Sequence, residues 1–157
     1  MPKTDDGVSQ ACSKVEIQPN CTGSWYDIGG ELTTVTNTKV TRETGSVAVF
    51  NSQRHVIGGG KTPPITVTFS GVYSEVITEG FTVVMDLWET PGVSDCDKQL
   101  CVRWIPKGGT AGDYMFSMTD NPQLVGFQYP ALDAGNAGPI TFEFDVFGYI
   151  DHDVFVS

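Results

Sequence analysis

The hydrophobic period of this chain switches from two to nearly four and back, and those switches restrict the fold more than any single motif. Ile65, Val67, Phe69 and Tyr73 fall on one face of an extended segment while Thr66, Thr68 and Ser70 fall on the other, the alternation of a strand with one buried and one wet face. Phe81, Val84, Met85 and Trp88 then stand at i, i+3, i+4 and i+7, a single apolar helical stripe. Thr78 is the expected N-cap and Pro91 the expected stop, because proline disfavours helical geometry in the residue before it. Alternation returns in Leu100, Val102 and Trp104 and, beyond the Lys107-Gly108-Gly109 turn, in Tyr114, Phe116 and Met118, which together predict a hairpin. Ile140, Phe142, Phe144 and Val146 make a last alternating strand whose other face carries Thr141, Glu143 and Asp145.

Shorter strands are predicted at Lys14 to Ile17, Trp25 to Ile28, Val47 to Phe50 and Leu124 to Tyr129, and a long Thr- and Val-rich one at Leu32 to Arg42. Asn51 to Lys61, ending in Gly58-Gly59-Gly60, reads as an exposed, flexible excursion. Many strands with one helix predict a mainly β fold, a β-sandwich or partly closed barrel with a flanking helix at about residues 78–90 and a long inter-strand loop. At 157 residues the chain is expected to form one domain, with residues 1–12 as a mobile or neighbour-bound arm and 148–157 as a C-terminal tail.

The net charge of −10 argues against nucleic-acid capture, which relies on Lys and Arg neutralising phosphates. An acidic protein repels DNA, which is useful where DNA must slide past without sticking. No stretch approaches the roughly 20 apolar residues of a membrane helix. Met1 to Asp6 lacks the regions of a signal peptide, so synthesis in the cytoplasm is expected. The serine-elbow, zinc-protease and dinucleotide signatures of common enzymes are absent, and the only histidines, His55 and His152, lie in a glycine-rich loop and the tail. No enzymatic activity or cofactor is expected. Asp95-Cys96-Asp97 and Asp151-His152-Asp153 lack the further ligands of a calcium loop. The cysteines form two close pairs in sequence, Cys12 with Cys21 and Cys96 with Cys101, compatible with free thiols, local disulfides or a four-thiolate metal site, although neither has zinc-knuckle spacing.

Charge is unevenly spread. Residues 39 to 61 hold Lys39, Arg42, Arg54 and Lys61 against the single acid Glu43, a net +3 that leaves −13 for the remainder. Such a loop on one copy suits the acidic surface of another.

The series Trp25-Tyr-Asp-Ile-Gly-Gly-Glu31, Gly59-Gly-Lys-Thr-Pro-Pro-Ile65, Val72-Tyr-Ser-Glu75, the helix from Phe81 to Trp88, Arg103-Trp-Ile-Pro-Lys-Gly-Gly109 and Gly138-Pro-Ile-Thr-Phe142 resembles tail tube proteins of long-tailed, siphovirus-like bacteriophages. The resemblance spans nearly the whole chain. It implies a virion protein, assembled in the host cytoplasm, whose copies close into hexameric rings that stack into a tube for DNA. Tape-measure, tail-tip and tail-terminator proteins are its implied partners, DNA passes transiently and without specificity, and no membrane insertion is implied. In that family an extended loop between early strands reaches a neighbouring ring; its counterpart here is the basic segment with Arg42, Arg54, His55 and Lys61. A tube that conducts a polyanion must not bind it, so Thr66, Thr68, Glu143 and Asp145 are the candidates to line the lumen. The alternative is a carbohydrate- or ligand-binding β-sandwich module in which Trp25, Trp88 and Trp104 offer stacking surfaces.

Overall fold

The computed structural model describes residues 10–90 and 98–156. The strands are β1 (Lys14–Pro19), β2 (Tyr26–Asp27), β3 (Leu32–Asn37), β4 (Thr44–Val47), β5 (Val56–Gly59) and β6 (Ile65–Val72), then, beyond the helix α1 (Gly80–Glu89), β7 (Leu100–Ile105), β8 (Tyr114–Met118), β9 (Gln123–Phe127), β10 (Thr141–Gly148) and β11 (Asp151–Val154). They form a five-stranded sheet in the order β11-β8-β7-β1-β2, a four-stranded sheet in the order β3-β6-β10-β9, and a separate β4-β5 hairpin. All pairings between strands are antiparallel. The two larger sheets pack face to face with α1 on one flank, so the expected sandwich forms and the sheets do not close into a barrel.

The four-stranded sheet is built on an eight-residue ladder between β6 and β10, running from Thr141 opposite Val72 to Gly148 opposite Ile65. Val67 and Phe69 face Val146 and Phe144 across it, and the rings of Phe69 and Phe144 stack at 4.9 Å. Phe69 also meets Trp104 of the opposing sheet edge-on at 6.3 Å, a favoured aromatic geometry that joins the layers. Position 71, where the apolar alternation of β6 skips a beat, is a glycine because a Cβ there would lie 3.0 Å from the Glu31 carbonyl oxygen and 3.1 Å from the Phe142 ring. That closeness lets the Val72 N–H donate to the Glu31 carbonyl at 2.9 Å.

Several boundaries differ from the sequence expectation. The helix starts at Gly80 with Glu79 in the N-cap position and no side-chain cap, so Thr78 is not the N-cap. The capping acceptor is remote in sequence: Glu31 Oε2 accepts the Gly80 N–H at 2.5 Å. Pro91 lies outside the described residues. Phe81, Val83, Val84 and Leu87 are buried, while Met85 and Trp88 are half-buried, because the helix sits between β1 on one flank and β6 and β9 on another. The long strand expected over 32–42 stops at Asn37, and the strand expected at Val47 to Phe50 lies instead at Thr44–Val47. Gly58 and Gly59 are strand residues opposite Gly45 and Thr44.

The segment beyond Gly148 folds onto its own subunit. β11 pairs with β8, and the Phe155 N–H and carbonyl bond the Asp113 carbonyl and the Gly112 N–H at 2.8 and 3.0 Å. Phe155 is buried against the outer side of the five-stranded sheet, where its ring lies 5.7 Å from the Arg103 guanidinium. Trp25 stacks on the same guanidinium at 4.2 Å. Arg103 in turn holds buried Glu16 at 3.2 Å, an ion pair shielded by two aromatic rings.

Cysteine pairing is not local. Cys21 is bonded to Cys101, 80 residues away, and Cys12 is free and exposed; Cys96 lies outside the described residues. Cys12 and Cys21 flank the six residues of β1, and an extended run of that length spans about 20 Å, far beyond the Cα separation a disulfide tolerates. A tight turn with Asn20 and Cys21 both left-handed (φ 56° and 55°) folds the chain back beside β7. There Gln18 is the ladder partner of Cys101.

Desolvation raises the Glu31 pKa above its ordinary value, Glu79 and Asp27 add to it, and the Gly80 N–H opposes it. The fold therefore favours the protonated acid, and this contribution to stability falls as pH rises through the Glu31 pKa. Glu31→Gln keeps the acceptor for Gly80 and is expected to hold or raise the melting temperature at neutral pH and to flatten the acid-side pH dependence. Glu31→Ala loses the cap and is expected to cost about 1 kcal/mol in denaturant titration. Thiol titration of the denatured, unreduced protein should find no more than two of the four cysteines reactive, and peptide mapping should link Cys21 to Cys101; four reactive thiols would refute that pairing.

Candidate assembly surfaces

The four expected lumen residues come together on the solvent-facing side of the four-stranded sheet. Thr68 and Asp145 are direct cross-strand partners, Glu143 lies opposite Ser70, and Thr66 lies opposite Phe147. The Thr68 hydroxyl donates to Asp145 Oδ1 at 2.7 Å and the Ser70 hydroxyl to Glu143 Oε1 at 3.1 Å, so each carboxylate is oriented by a neighbouring strand. Thr36 and Thr34 extend the two rows on β3. On the other side, Gly126 makes room for Asp145, since a Cβ at 126 would lie 2.7 Å from Asp145 Oδ2. None of the four strands carries a lysine or arginine. Phe147 and Val125 are the exposed apolar members of the face, Val125 where the β9-β10 register shifts.

Both edges of this sheet are strands with an outer side that no other named strand occupies, β3 at one end and β9 at the other. The beginning of β9 is covered by the segment before β7, where the Leu124 N–H donates to the Lys98 carbonyl at 2.8 Å. A groove of about 530 Å³ runs along β3, lined by Ser13, Val15 and Pro106 as well as Leu32 to Thr36.

The basic segment forms the β4-β5 hairpin, and every residue from Thr36 to Lys61 is exposed. Arg42 and Lys61 sit at its base, where the Glu43 N–H donates to the Lys61 carbonyl at 3.0 Å. Arg54 and His55 sit at its tip, and the Arg54 N–H donates to Ser52 Oγ at 3.1 Å. The four candidates thus share one element but occupy its two ends. Sequence reading missed the apolar character of the hairpin: Phe50 is 99% exposed, Ile57 77% and Val47 66%. The signal is present in Val47-Ala-Val-Phe50 and Val56-Ile57, which the sequence reading divides between a strand and an exposed, flexible excursion; the structure joins them in one projecting element.

The ligand-module alternative loses its stacking surfaces, because each tryptophan ring has a partner within the chain. Trp25 carries Arg103, Trp88 packs near Phe127 with Lys98 over its ring, and Trp104 lies between Phe69 and Phe116. Among the described residues there is no group of three or more side chains able to hold a metal ion, and no helix is long and apolar enough to cross a membrane. His152 packs against the rings of Tyr114 and Phe116.

No protein-family model matches the chain and no curated protein matches it in sequence. Solved structures do match in fold. A chain from the sheath-tube complex of an extracellular contractile injection system, PVC, in its extended state aligns with a TM-score of 0.72 at 10% identity, covering 96% of this chain and 94% of that one. A chain from the tube-terminating cap of the anti-feeding prophage aligns with a TM-score of 0.71 at 8% identity, covering 98% and 95%. A chain from the tail of an empty gene transfer agent particle, refined with C6 symmetry, aligns with a TM-score of 0.59 at 13% identity, covering 99% and 100%. At these identities the likeness establishes the fold: over essentially its whole length, this chain has the architecture found in components of phage-like tails and contractile injection systems.

Proposed function

We propose that the protein is a tail tube subunit of a phage-like particle, a structural virion component that assembles in the host cytoplasm and conducts DNA. The observation that carries this reading is the wet face of the four-stranded sheet, which presents Thr66, Thr68, Glu143 and Asp145 without a single cation. Within a fold shared with components of tails and injection systems, such a face suits a lumen that hydrates and repels a polyanion. The two open edges support ring closure: β3 of one copy pairing with the free part of β9 of the next is a head-to-tail contact, and repeated rotation closes it and removes exposed edges. Six copies per ring is supported by the C6 symmetry of the gene transfer agent tail. The long-tailed, siphovirus-like setting rests on the sequence resemblance, as do the tape-measure, tail-tip and tail-terminator partners. The hairpin with Arg42, Arg54, His55 and Lys61 is the element that reaches the next ring.

Electron microscopy of the purified protein, alone or nucleated by a tail tip, should show rings or tubes; an inert monomer under both conditions would refute the reading. In assembled particles, Glu143→Lys combined with Asp145→Lys should leave tube length unchanged and impair DNA ejection, since each new cation adds a phosphate contact that passing DNA must break. Unimpaired ejection would place this face outside the lumen.

A further inference from the structure

We propose that residues 151–156 form a strap that opens on its own and, while closed, keeps β8 from pairing with β8 of a second copy. Such a guard acts whether or not the copies build a tube. β8 reads Tyr-Met-Phe-Ser-Met, a strand without a charge, a proline or a glycine. Left bare, it would present a row of free N–H and C=O groups on a short, apolar, uncharged segment, the combination that favours pairing with another chain. Two identical strands can meet antiparallel about a two-fold axis, each offering the other the same side chains, so a second copy is a sufficient partner.

β11 changes the chemistry of that edge. It covers β8 from Ser117, opposite Asp151, to Tyr114, opposite Val154, and is itself the outermost strand of the sheet. Asp151 and Asp153 bring two carboxylates to a strand of four residues, whereas β3 and β9, the edges of the other large sheet, carry no charged residue. Two β11 edges brought together would set like charges against one another, which disfavours pairing. At the far end of the same sheet, β2 has only two residues, one of them Asp27. The five-stranded sheet is therefore protected from strand addition at both ends, and the strap supplies one of the two protections.

The strap hangs on one anchor. All four residues of β11 are exposed, and Phe155 alone is buried among the described residues beyond Ile150. Its ring lies 5.7 Å from the Arg103 guanidinium and 5.8 Å from Lys14 Nζ, and its backbone continues the pairing through Asp113 and Gly112. Opening therefore needs the withdrawal of one ring and the loss of a short ladder. The Arg103–Glu16 ion pair beneath keeps Trp25 as its other cover, so the rest of the sheet stays intact. Elements with few buried side chains and solvent-exposed backbone bonds open locally, without global unfolding.

Two measurements on the full chain test the guard. Phe155→Pro removes both the buried ring and the N–H that donates to Asp113. With the photo-cross-linking residue p-benzoylphenylalanine in place of exposed Tyr114, illumination of this variant should give dimers whose attachment maps to residues 114–118 of a second copy, and the same probe in an otherwise wild-type chain should give none there. A variant that still melts cooperatively but shows no such attachment, or a wild-type chain that shows it equally, overturns the proposal. In the unsubstituted protein, the amides of residues 151–155 should exchange with deuterium at a rate unmoved by low denaturant, while those of β6 and β10 follow global unfolding. Strap amides that exchange only with global unfolding refute the opening even if Phe155→Pro fails to fold. The formation of rings or tubes is read separately by microscopy, so the guard and the tube-subunit reading can fail independently.

Discussion

The ladder between β6 and β10 sets everything placed around it. Eight consecutive antiparallel pairs fix which residues of each strand face in, and because side chains alternate, the same register fixes the outward set. Val67, Phe69, Phe142, Phe144 and Val146 face the core, and Thr66, Thr68, Ser70, Glu143 and Asp145 face outward as a direct consequence. A slip of one residue would bury the carboxylates and expose the phenylalanines, so core packing and surface chemistry are specified together. Hydroxyls on β6 then hold the carboxylates of β10 in place, which makes the acidic surface a property of the sheet and not of mobile side chains.

What could be read in advance follows from that coupling. Period-two alternation is legible in one sequence wherever a strand has one wet and one dry face, which is why the strands around Phe69, Trp104, Phe116 and Phe144 and the polar set on β6 and β10 were accessible without coordinates. Contacts between residues far apart were not. Nothing local marks Glu31 as the acceptor for the first helical N–H, since the preference for a nearby cap such as Thr78 describes helix ends in general. The partner of Cys21 depends on which strand lies beside β1, and sequence proximity to Cys12 carries no information once β1 is extended between them. The hairpin failed for a third reason: its apolar residues have no buried face within the subunit, so a pattern that normally reports a core lies here on an exposed element.

The subunit divides its polar and apolar surface unequally. Its acidic sheet face is finished, with carboxylates oriented and glycine at 126 clearing space for Asp145. Its hairpin is unfinished, showing aromatic and branched side chains that the fold does not cover. Proteins that work as monomers bury or dilute such surface, and here it is concentrated on one projecting element.

For the proposed tube subunit, self-association meets a conflict, because copies carrying −10 each repel one another at any separation shorter than the screening length. A uniform surface charge would oppose every mode of contact alike. Gathering the cations of residues 39–61 on one projecting element makes repulsion directional: bodies keep apart while a basic hairpin is drawn to the acidic body of another copy. Charge of this kind governs encounter and register more than final affinity, so the strength of the contact must come from buried apolar area. Phe50, Val47 and Ile57 therefore belong on the same element as Arg42, Arg54 and Lys61, since a basic loop without them would orient neighbouring copies without holding them.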